Sequence, residues 1–421
     1  MSRQTAIVAT TIFEPAFIDG FQSSVEAAGR LGETQMFIIV DRKTPTSVQA
    51  AVNAARAQGF NVVCPTIDEQ DLFLKKLGLP TDFIPYNTDN RRNIGFLMAL
   101  ESGCEVLISI DDDNFCESGI DFVGAHSVVG QVAAEPVVNS TDGWFNLCSL
   151  LETQDGVTPF PRGFPYAAQR QPRSTELEAS ATPISIAMNA GLWLDEPDVD
   201  AVARLSQRPK IDTFRGPNVV LGPEVWSPIN TQNTALTRDA ALTYYYIRMG
   251  FPLKGLSIDR FGDILSGYLT QKVIKSLGQG IRIGTPVLNH RRSPHNLFKD
   301  LYHELAGMVL VEEFVPWLRE VRLTQTSSMA LYDELADEIA SAAPGFRGFI
   351  WDDGGREFLI EMSRLMKTWL AAVGQIQGQR NRTAYAAPLE DNNCIGRLAP
   401  GREQAGGITA NVLLKPAAKS H

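Results

Sequence analysis

The chain has 421 residues, of which 44% are hydrophobic and 20% charged, a composition that excludes disordered, collagenous and membrane-embedded classes. A net charge of −10 works against non-specific binding to nucleic acid or an anionic membrane, so a phosphate ligand has to be met by a metal or by local arginines. The length suits one large α/β domain with a smaller addition.

The first predicted strand covers 6–10, an apolar run that Glu14 interrupts too early for a membrane span. Helical spacing over 17–31 follows, then a buried strand at 36–40 that ends on Asp41. A helix near 47–58, a strand at 61–64 and a helix over 92–102 stopped by Gly103 continue the alternation. This is the pattern of βαβ layering, a Rossmann-like, mostly parallel central sheet covered on both faces. The fourth strand, 106–110, runs straight into Asp111-Asp112-Asp113-Asn114. From 136 to 222 the chain is rich in proline, glycine and turn residues and reads as one long irregular segment of functional loops or lids. Regular structure resumes near Trp226, with a helix over 239–249 and a strand at 281–288 before His290.

Helices at 301–322, 329–342 and 355–378 form a C-terminal helical appendage. From 379 the tail reads as irregular or wrapped onto a neighbouring copy, so a homo-oligomer stays open. The predicted division is 1–300, 301–378 and 379–421. The five cysteines (Cys64, Cys104, Cys116, Cys148, Cys394) are widely spaced, form no metal-like grouping and read as reduced packing residues. With no run of eighteen apolar residues, the expected location is the cytoplasm.

Side chains alternate along a strand, so Asp111 and Asp113 are expected to project together and Asp112 to the other side. The carboxyl edge of an open α/β sheet is where ligands bind. Two hard oxygen ligands that leave room for water and phosphate are what Mg²⁺ or Mn²⁺ needs to bridge a diphosphate. Three adjacent aspartates repel one another, which a cation relieves; the alternative is a solvated turn or a helix cap. Thr10 and Asp41 end the first two strands on the same edge, where nucleoside recognition is expected. Asn90, Arg91 and Arg92 precede or open a helix, where backbone N–H groups and a guanidinium suit a phosphate or a base; the alternative is a solvated helix start. Asp263 precedes an amphipathic segment and reads as a base, as a group that steadies an oxocarbenium-like transition state, or as a helix cap.

Several blocks, in order, carry a family resemblance: Ile108 to Asn114; Pro161-Arg162-Gly163-Phe164-Pro165-Tyr166; Gly191 to Ala201; Gln232 to Leu236; Asp259 to Asp263; and Pro286 to Leu297. They resemble the reversibly glycosylated polypeptides, a family that includes the UDP-arabinopyranose mutases of plants. The resemblance implies a glycosyltransferase A-type fold, a UDP-sugar ligand and a divalent metal. It places the family's glycosylated arginine on Arg162 and a second arginine on Arg170, with a spacing one residue longer. It also implies substrate contacts for Trp193 and Asn233, and a ligand role for His290 beside Asp111 and Asp113. Arg162 is further expected to grip the diphosphate, with Gly163 allowing close approach and Phe164 and Tyr166 packing on the sugar; the alternative is a structural ion-pair arginine. Three functions follow. The first is metal-dependent transfer of a sugar from a nucleoside diphosphate to an unidentified acceptor. The second is interconversion of UDP-sugar pyranose and furanose forms, and the third a self-glycosylated or non-catalytic sugar-nucleotide-binding subunit.

Overall fold

The computed structural model describes residues 4–386 apart from 81, 180–182 and 293–295. Strand β1 (Thr5–Thr11), helix α1 (Ile18–Ala27), β2 (Thr34–Val40), α2 (Val48–Ala57), β3 (Asn61–Val63), α3 (Ile67–Lys76), α4 (Arg92–Ser102) and β4 (Val106–Ile110) make its first half. These four strands are parallel, in the order β3-β2-β1-β4. Their lack of polar alternation has a simple origin, since the two-residue period sends apolar side chains to a core on each face. Val8, Ile39 and Leu107 meet Ile94 and Leu97 of α4 on one face, while Ile7, Ile38 and Ile108 meet Phe21 and Val52 of α1 and α2 on the other. Gly103 ends α4 with φ 93°, as the sequence predicts. Helix α3 was not predicted, although Thr66 and Glu69 form a capping box at its start.

The segment expected to be irregular, 136–222, instead contributes six strands to the sheet. After β5 (Asn114–Phe115), α5 (Phe122–His126) and β6 (Val132–Ala133) come β7 (Val137–Ser140), β8 (Leu151–Thr153), α6 (Tyr166–Gln169), β9 (Thr175–Glu178), β10 (Ile184–Asp195), α7 (Ala201–Ser206), β11 (Ile211–Phe214) and β12 (Val219–Leu221). The chain continues through β13 (Asn233–Thr237), α8 (Arg238–Ala241), β14 (Phe251–Pro252), β15 (Ser257–Ile258), α9 (Gly262–Ser276) and β16 (Gly280–His290). The sheet extends as β4-β13-β10-β16-β12-β7-β9, with β13 antiparallel to both neighbours and β10 parallel to β16. The helix predicted over 239–249 shrinks to the four residues of α8. Tyr244, Tyr245, Tyr246 and Ile247 are all buried, and burial of consecutive residues on every side leaves no amphipathic helix to form. Asn93 fixes the backbone there, accepting from Tyr246 N at 2.8 Å and donating to Tyr246 O at 2.9 Å.

The β10–β16 register slips between Gly191 and Leu192. Asn233 Nδ2 donates to the carbonyls left there, Leu192 O and Pro286 O, at 3.1 and 3.0 Å. Its Oδ1 faces His126 Nε2 at 2.9 Å, and Asn189 Nδ2 donates to Nδ1 of the same ring at 2.9 Å. Burial pushes His126 down to about 3, so the imidazole is neutral, donating from Nε2 and accepting at Nδ1.

Helices α10 (Leu297–Glu320), α11 (Ser328–Ala342) and α12 (Arg356–Ala386) follow. The predicted boundary near 300 falls at the start of α10, yet Leu310, Phe314, Leu331 and Trp369 belong to the same hydrophobic core as α4 and the sheet. Trp369 Nε1 donates to Leu242 O at 2.8 Å. Where an irregular tail was expected from 379, α12 runs on to Ala386; the rest of that stretch, with Cys394, lies outside the described residues. Cys64, Cys104, Cys116 and Cys148 are buried and unpaired. Among the described residues no helix is long and apolar enough to cross a membrane.

Close packing of α4 on the sheet gives a direct test. A Cβ at Gly95 would collide with Val8 and Ile39. Gly95→Ala is therefore expected to destabilise the protein by about 1–3 kcal/mol, the usual cost of overpacking. Urea unfolding should show a lower midpoint with an unchanged slope; an unshifted midpoint would mean that α4 does not lie this close.

Candidate active site

The carboxyl ends of β1, β2 and β4 open onto one cleft of about 340 Å³. Thr10, Thr11, Asp41 and Asp111 to Asp113 line it from these strand ends, and Arg162, Tyr246, Arg260 and Asp263 from later segments.

β4 stops at Ile110 and the chain turns at once, with Asn114 N donating to Asp111 O at 3.3 Å. Strand alternation ends before the aspartates, so Asp112, expected on the opposite face, lines the cleft with both neighbours. Arg92, buried in the first turn of α4, reaches Asp111 Oδ1 through Nη2 at 2.5 Å. Its Nη1 donates to Ser109 Oγ and Thr231 O, each at 3.0 Å. Asp111 keeps about a third of its side chain open to the cleft, 36%. Removal from bulk water nevertheless pushes its carboxyl up to about 6 against the pull of Arg92, and Asp113 adds to the rise. Burial also works against the Asp113 carboxylate, but His290 Nε2, 3.1 Å from Oδ2, holds it below its ordinary value. His290 Nδ1 donates to Glu196 O at 2.5 Å, which orients the ring.

Among the described residues no three Asp, Glu, His or Cys side chains enclose a metal position. Asp111 turns to Arg92, and Asp113 rather than His290 lines the cleft. The donor set still suits a hard cation, which takes one or two carboxylates and completes its shell with phosphate and water. Asp111, raised by burial and by Asp113, is the group whose charge such a cation would offset.

Arg162 is clamped rather than poised. Nε and Nη2 donate to Asp198 at 3.0 and 3.1 Å, Nη1 and Nη2 to Asp263 at 3.1 and 2.5 Å, and Nη1 also to the Arg260 carbonyl. All five guanidinium N–H groups are thereby engaged, and none remains for a phosphate in this arrangement. The Arg162 backbone N–H donates to Asp198 O at 2.9 Å. Burial opposes charge on Asp198, yet the Arg162 guanidinium holds its carboxyl well below the usual carboxylate range. Phe164 and Tyr166 turn away from the cleft. Phe164 packs on Trp144, and the Tyr166 hydroxyl donates to Asp200 Oδ2 at 2.8 Å. Gly163 has φ 85°, and a side chain there would strike Ile264.

Of the other predicted site residues, Thr10 and Asp41 lie on the cleft wall, Asp41 accepting from Arg42 N and Asn87 N at 2.7 and 2.5 Å. Arg91 is also there, but its Nη atoms turn to Gln70 and the Ile84 carbonyl. Asn90 donates to Tyr246 O at 2.7 Å, Asn233 sits in the sheet, and Arg170 is exposed at the end of α6; none of these three lines the cleft. Trp193 is buried against a second cavity of only about 10 Å³, which Arg162 and Asp198 also border. Sequence reasoning missed Asp198, Arg260 and Tyr246 as parts of the site. The first two lie inside the quoted family blocks, where an acidic residue or an arginine without a helical or strand period is the signal. The block after β10 does more than expected, since Glu196 orients His290, Asp198 holds Arg162, and Asp200 caps α7 by accepting from Ala203 N.

A doubly covered α/β sheet with an antiparallel strand inserted beside β4, and aspartates at the β4 carboxyl end, defines a glycosyltransferase A-type domain. Residues 33–348 match the reversibly glycosylated polypeptide family, and the chain belongs to it. It is 28% identical over 259 residues to the probable UDP-arabinopyranose mutase 4 of Arabidopsis thaliana, covering 60% of this chain and 64% of that one. To the probable UDP-arabinopyranose mutase 1 of Solanum tuberosum it is 26% identical, covering 72% and 80%. To UDP-arabinopyranose mutase 1 of Arabidopsis thaliana it is 25% identical, covering 59% and 64%. The chain thus spans just under two thirds of the length of both Arabidopsis relatives. Among solved structures, glucosyl-3-phosphoglycerate synthase from Mycobacterium tuberculosis with Mn²⁺ and UDP-glucose overlays with a TM-score of 0.35 at 12% identity, covering 74% of this chain and 79% of that one.

The clamp predicts a pH signature. A carboxyl depressed in the folded state contributes stability that is present above its unfolded pKa and lost as pH falls through the folded value. Asp198→Asn should destabilise the protein by about 3 kcal/mol near neutral pH, because it leaves part of a buried charge uncompensated. The gap from wild type should shrink below about pH 4, where the unfolded carboxyl takes up its proton. Denaturant melts at several pH values check this; a gap absent at pH 7, or widening in acid, would contradict it.

Proposed function

We propose that the cleft binds a UDP-sugar across the ends of β1, β2 and β4, and that the protein interconverts pyranose and furanose forms of the sugar on its nucleotide. The observation that carries this reading is the match over residues 33–348, with relatives named as UDP-arabinopyranose mutases, to a chain whose matched blocks supply the cleft's aspartates and Arg162. An isomerisation of this kind conserves every atom. The bond from the anomeric carbon to the diphosphate breaks. A different hydroxyl of the sugar bonds to that carbon while the bond to the old ring oxygen breaks, and the proton of the incoming hydroxyl passes to the released oxygen. The bond to the same diphosphate then forms again. No acceptor or redox partner is required.

In this reading Thr10, Thr11 and Asp41 meet the nucleoside, and Asp111 and Asp113 would hold a divalent cation, with His290 orienting Asp113. Such a cation, Mn²⁺ or Mg²⁺, supplies charge stabilisation to the departing diphosphate. Arg92 pulls Asp111 toward its charged form at the strand end, against its burial. The Asp263 carboxylate, fixed by Arg162, faces the reacting end of the sugar, where positive charge develops as the bond breaks. Because all five N–H groups of Arg162 are engaged by the protein, a covalent carrier role for this arginine is the less favoured reading.

The purified chain incubated with UDP-arabinopyranose and Mn²⁺, without acceptor, should yield a nucleotide sugar of unchanged mass and altered chromatographic position. Asp113→Ala should slow this by about a hundredfold or more, the scale of a lost electrostatic stabiliser. Accumulation of free UDP without the isomer would overturn the mutase reading in favour of transfer to water or an acceptor.

A further inference from the structure

The arginines around the cleft differ in what they have left to offer. Arg162 has every N–H engaged. Arg92 gives its Nη atoms to Asp111, Ser109, Thr231 and Thr10, and Arg91 gives its own to Gln70 and Ile84. Arg260 is different. It lies between β15 and α9 with a left-handed φ of 56°, lines the cleft, and keeps a third of its side chain open, 33%.

Two carboxylates of α10 hold Arg260 from behind. Asp300 Oδ1 accepts from Nη1 at 3.0 Å, and Glu304 Oε1 lies 3.3 Å from Nε. Both acids are almost fully buried, at 4% and 1% exposure. Each also fixes another group, Asp300 the Arg292 guanidinium at 3.1 Å and Glu304 the Ala201 N–H at 2.7 Å. The Arg260 backbone is tied as well, its N–H to Asp259 Oδ1 at 2.9 Å and its carbonyl to Arg162. Among the described residues Nη2 makes no hydrogen bond. The outcome is a cleft-lining guanidinium with Nη1, Nε and the backbone held and Nη2 free, the preorganised form in which arginine recognises phosphate oxygens.

We propose that Arg260 is the residue that grips the diphosphate of the nucleotide, and that Asp300 and Glu304 are its positioning residues. This rests on the reading of the cleft as a nucleoside-diphosphate site. It moves to Arg260 the phosphate-gripping role the sequence suggests for Arg162, with Arg162 holding the wall and Arg260 meeting the ligand, and it makes α10 a working part of the site.

The test is calorimetric titration of the full chain with UDP and with uridine, both in Mn²⁺. Arg260→Ala should weaken UDP roughly ten- to hundredfold, the scale of lost hydrogen bonds to a charged group, and change uridine less than about twofold. Arg260→Lys should recover part of the loss, since it restores charge without the fork. Glu304→Gln and Asp300→Asn should each weaken UDP selectively over uridine, which a purely structural defect would not do. Equal losses for UDP and uridine across these variants, or an Arg260→Lys protein that binds UDP as wild type does, would overturn the assignment. Should Arg260→Ala fail to fold, the lysine and Glu304→Gln variants decide it. Wild type that does not bind UDP would sink the reading of the cleft itself, whereas UDP binding indifferent to position 260 would sink only this inference.

Discussion

The Arg162 guanidinium joins three stretches of chain far apart in sequence: its own segment before α6, the acidic block after β10, and the first turn of α9. Two carboxylates converge on one cation in a nearly dry place, so neither Asp198 nor Asp263 can leave without stranding the charge of Arg162. The same contact pins the Arg260 carbonyl and thereby the turn that enters α9. The later wall of the cleft is thus an electrostatic assembly laid over a hydrophobic sheet, and its geometry depends on that one arginine being fully coordinated.

That arrangement also sets the charge of the cleft. Asp111, Asp112 and Asp113 stand together at one strand end, and most cations nearby are bound to protein partners. Arg92 answers Asp111 and His290 answers Asp113, yet Asp111 and Asp112 still sit above their ordinary carboxyl values because burial outweighs those contacts. A polyanionic ligand can enter such a place only with countercharge; the proposed sources are a hard cation at the aspartates and Arg260, and Lys43 lines the same cleft. The helices after residue 297 matter here for a local reason, since α10 supplies the buried acids behind that edge.

The parallel half of the sheet was readable because its physics is local. Apolar runs at β1, β2 and β4, helical spacing in α4, and Gly103 as a left-handed stop each declare themselves within a few residues. The middle was not readable, because its elements exist only through partners distant in sequence. Strand β10 carries Asn189 and Gly191 in its interior, residues that weaken a strand reading; Gly191 sits at the slipped register that Asn233 closes, and Asn189 binds His126, Arg282 and the Thr285 carbonyl. The run of tyrosines after α8 imitates a helix by composition and is buried on all sides instead. At the site, the aspartate triplet was legible by type and position, but the orientation of Asp112 depended on where β4 stopped. Arg162 stood out as a residue while its partner Asp198, 36 positions later, did not. Asn90, Asn233 and Arg170 illustrate the converse, since a polar residue in a recognisable block serves equally well to hold backbone or to face solvent.

The central claim is that the aspartates at the end of β4 hold a cation against the diphosphate of a UDP-sugar in this cleft. Anomalous diffraction at the manganese edge, from crystals grown with Mn²⁺ and UDP, tests it most directly. One strong peak is expected within coordination distance of Asp111 or Asp113, with the diphosphate density between that peak and Arg260. A nucleotide bound without a peak at these aspartates, or lodged away from the ends of β1, β2 and β4, would contradict it.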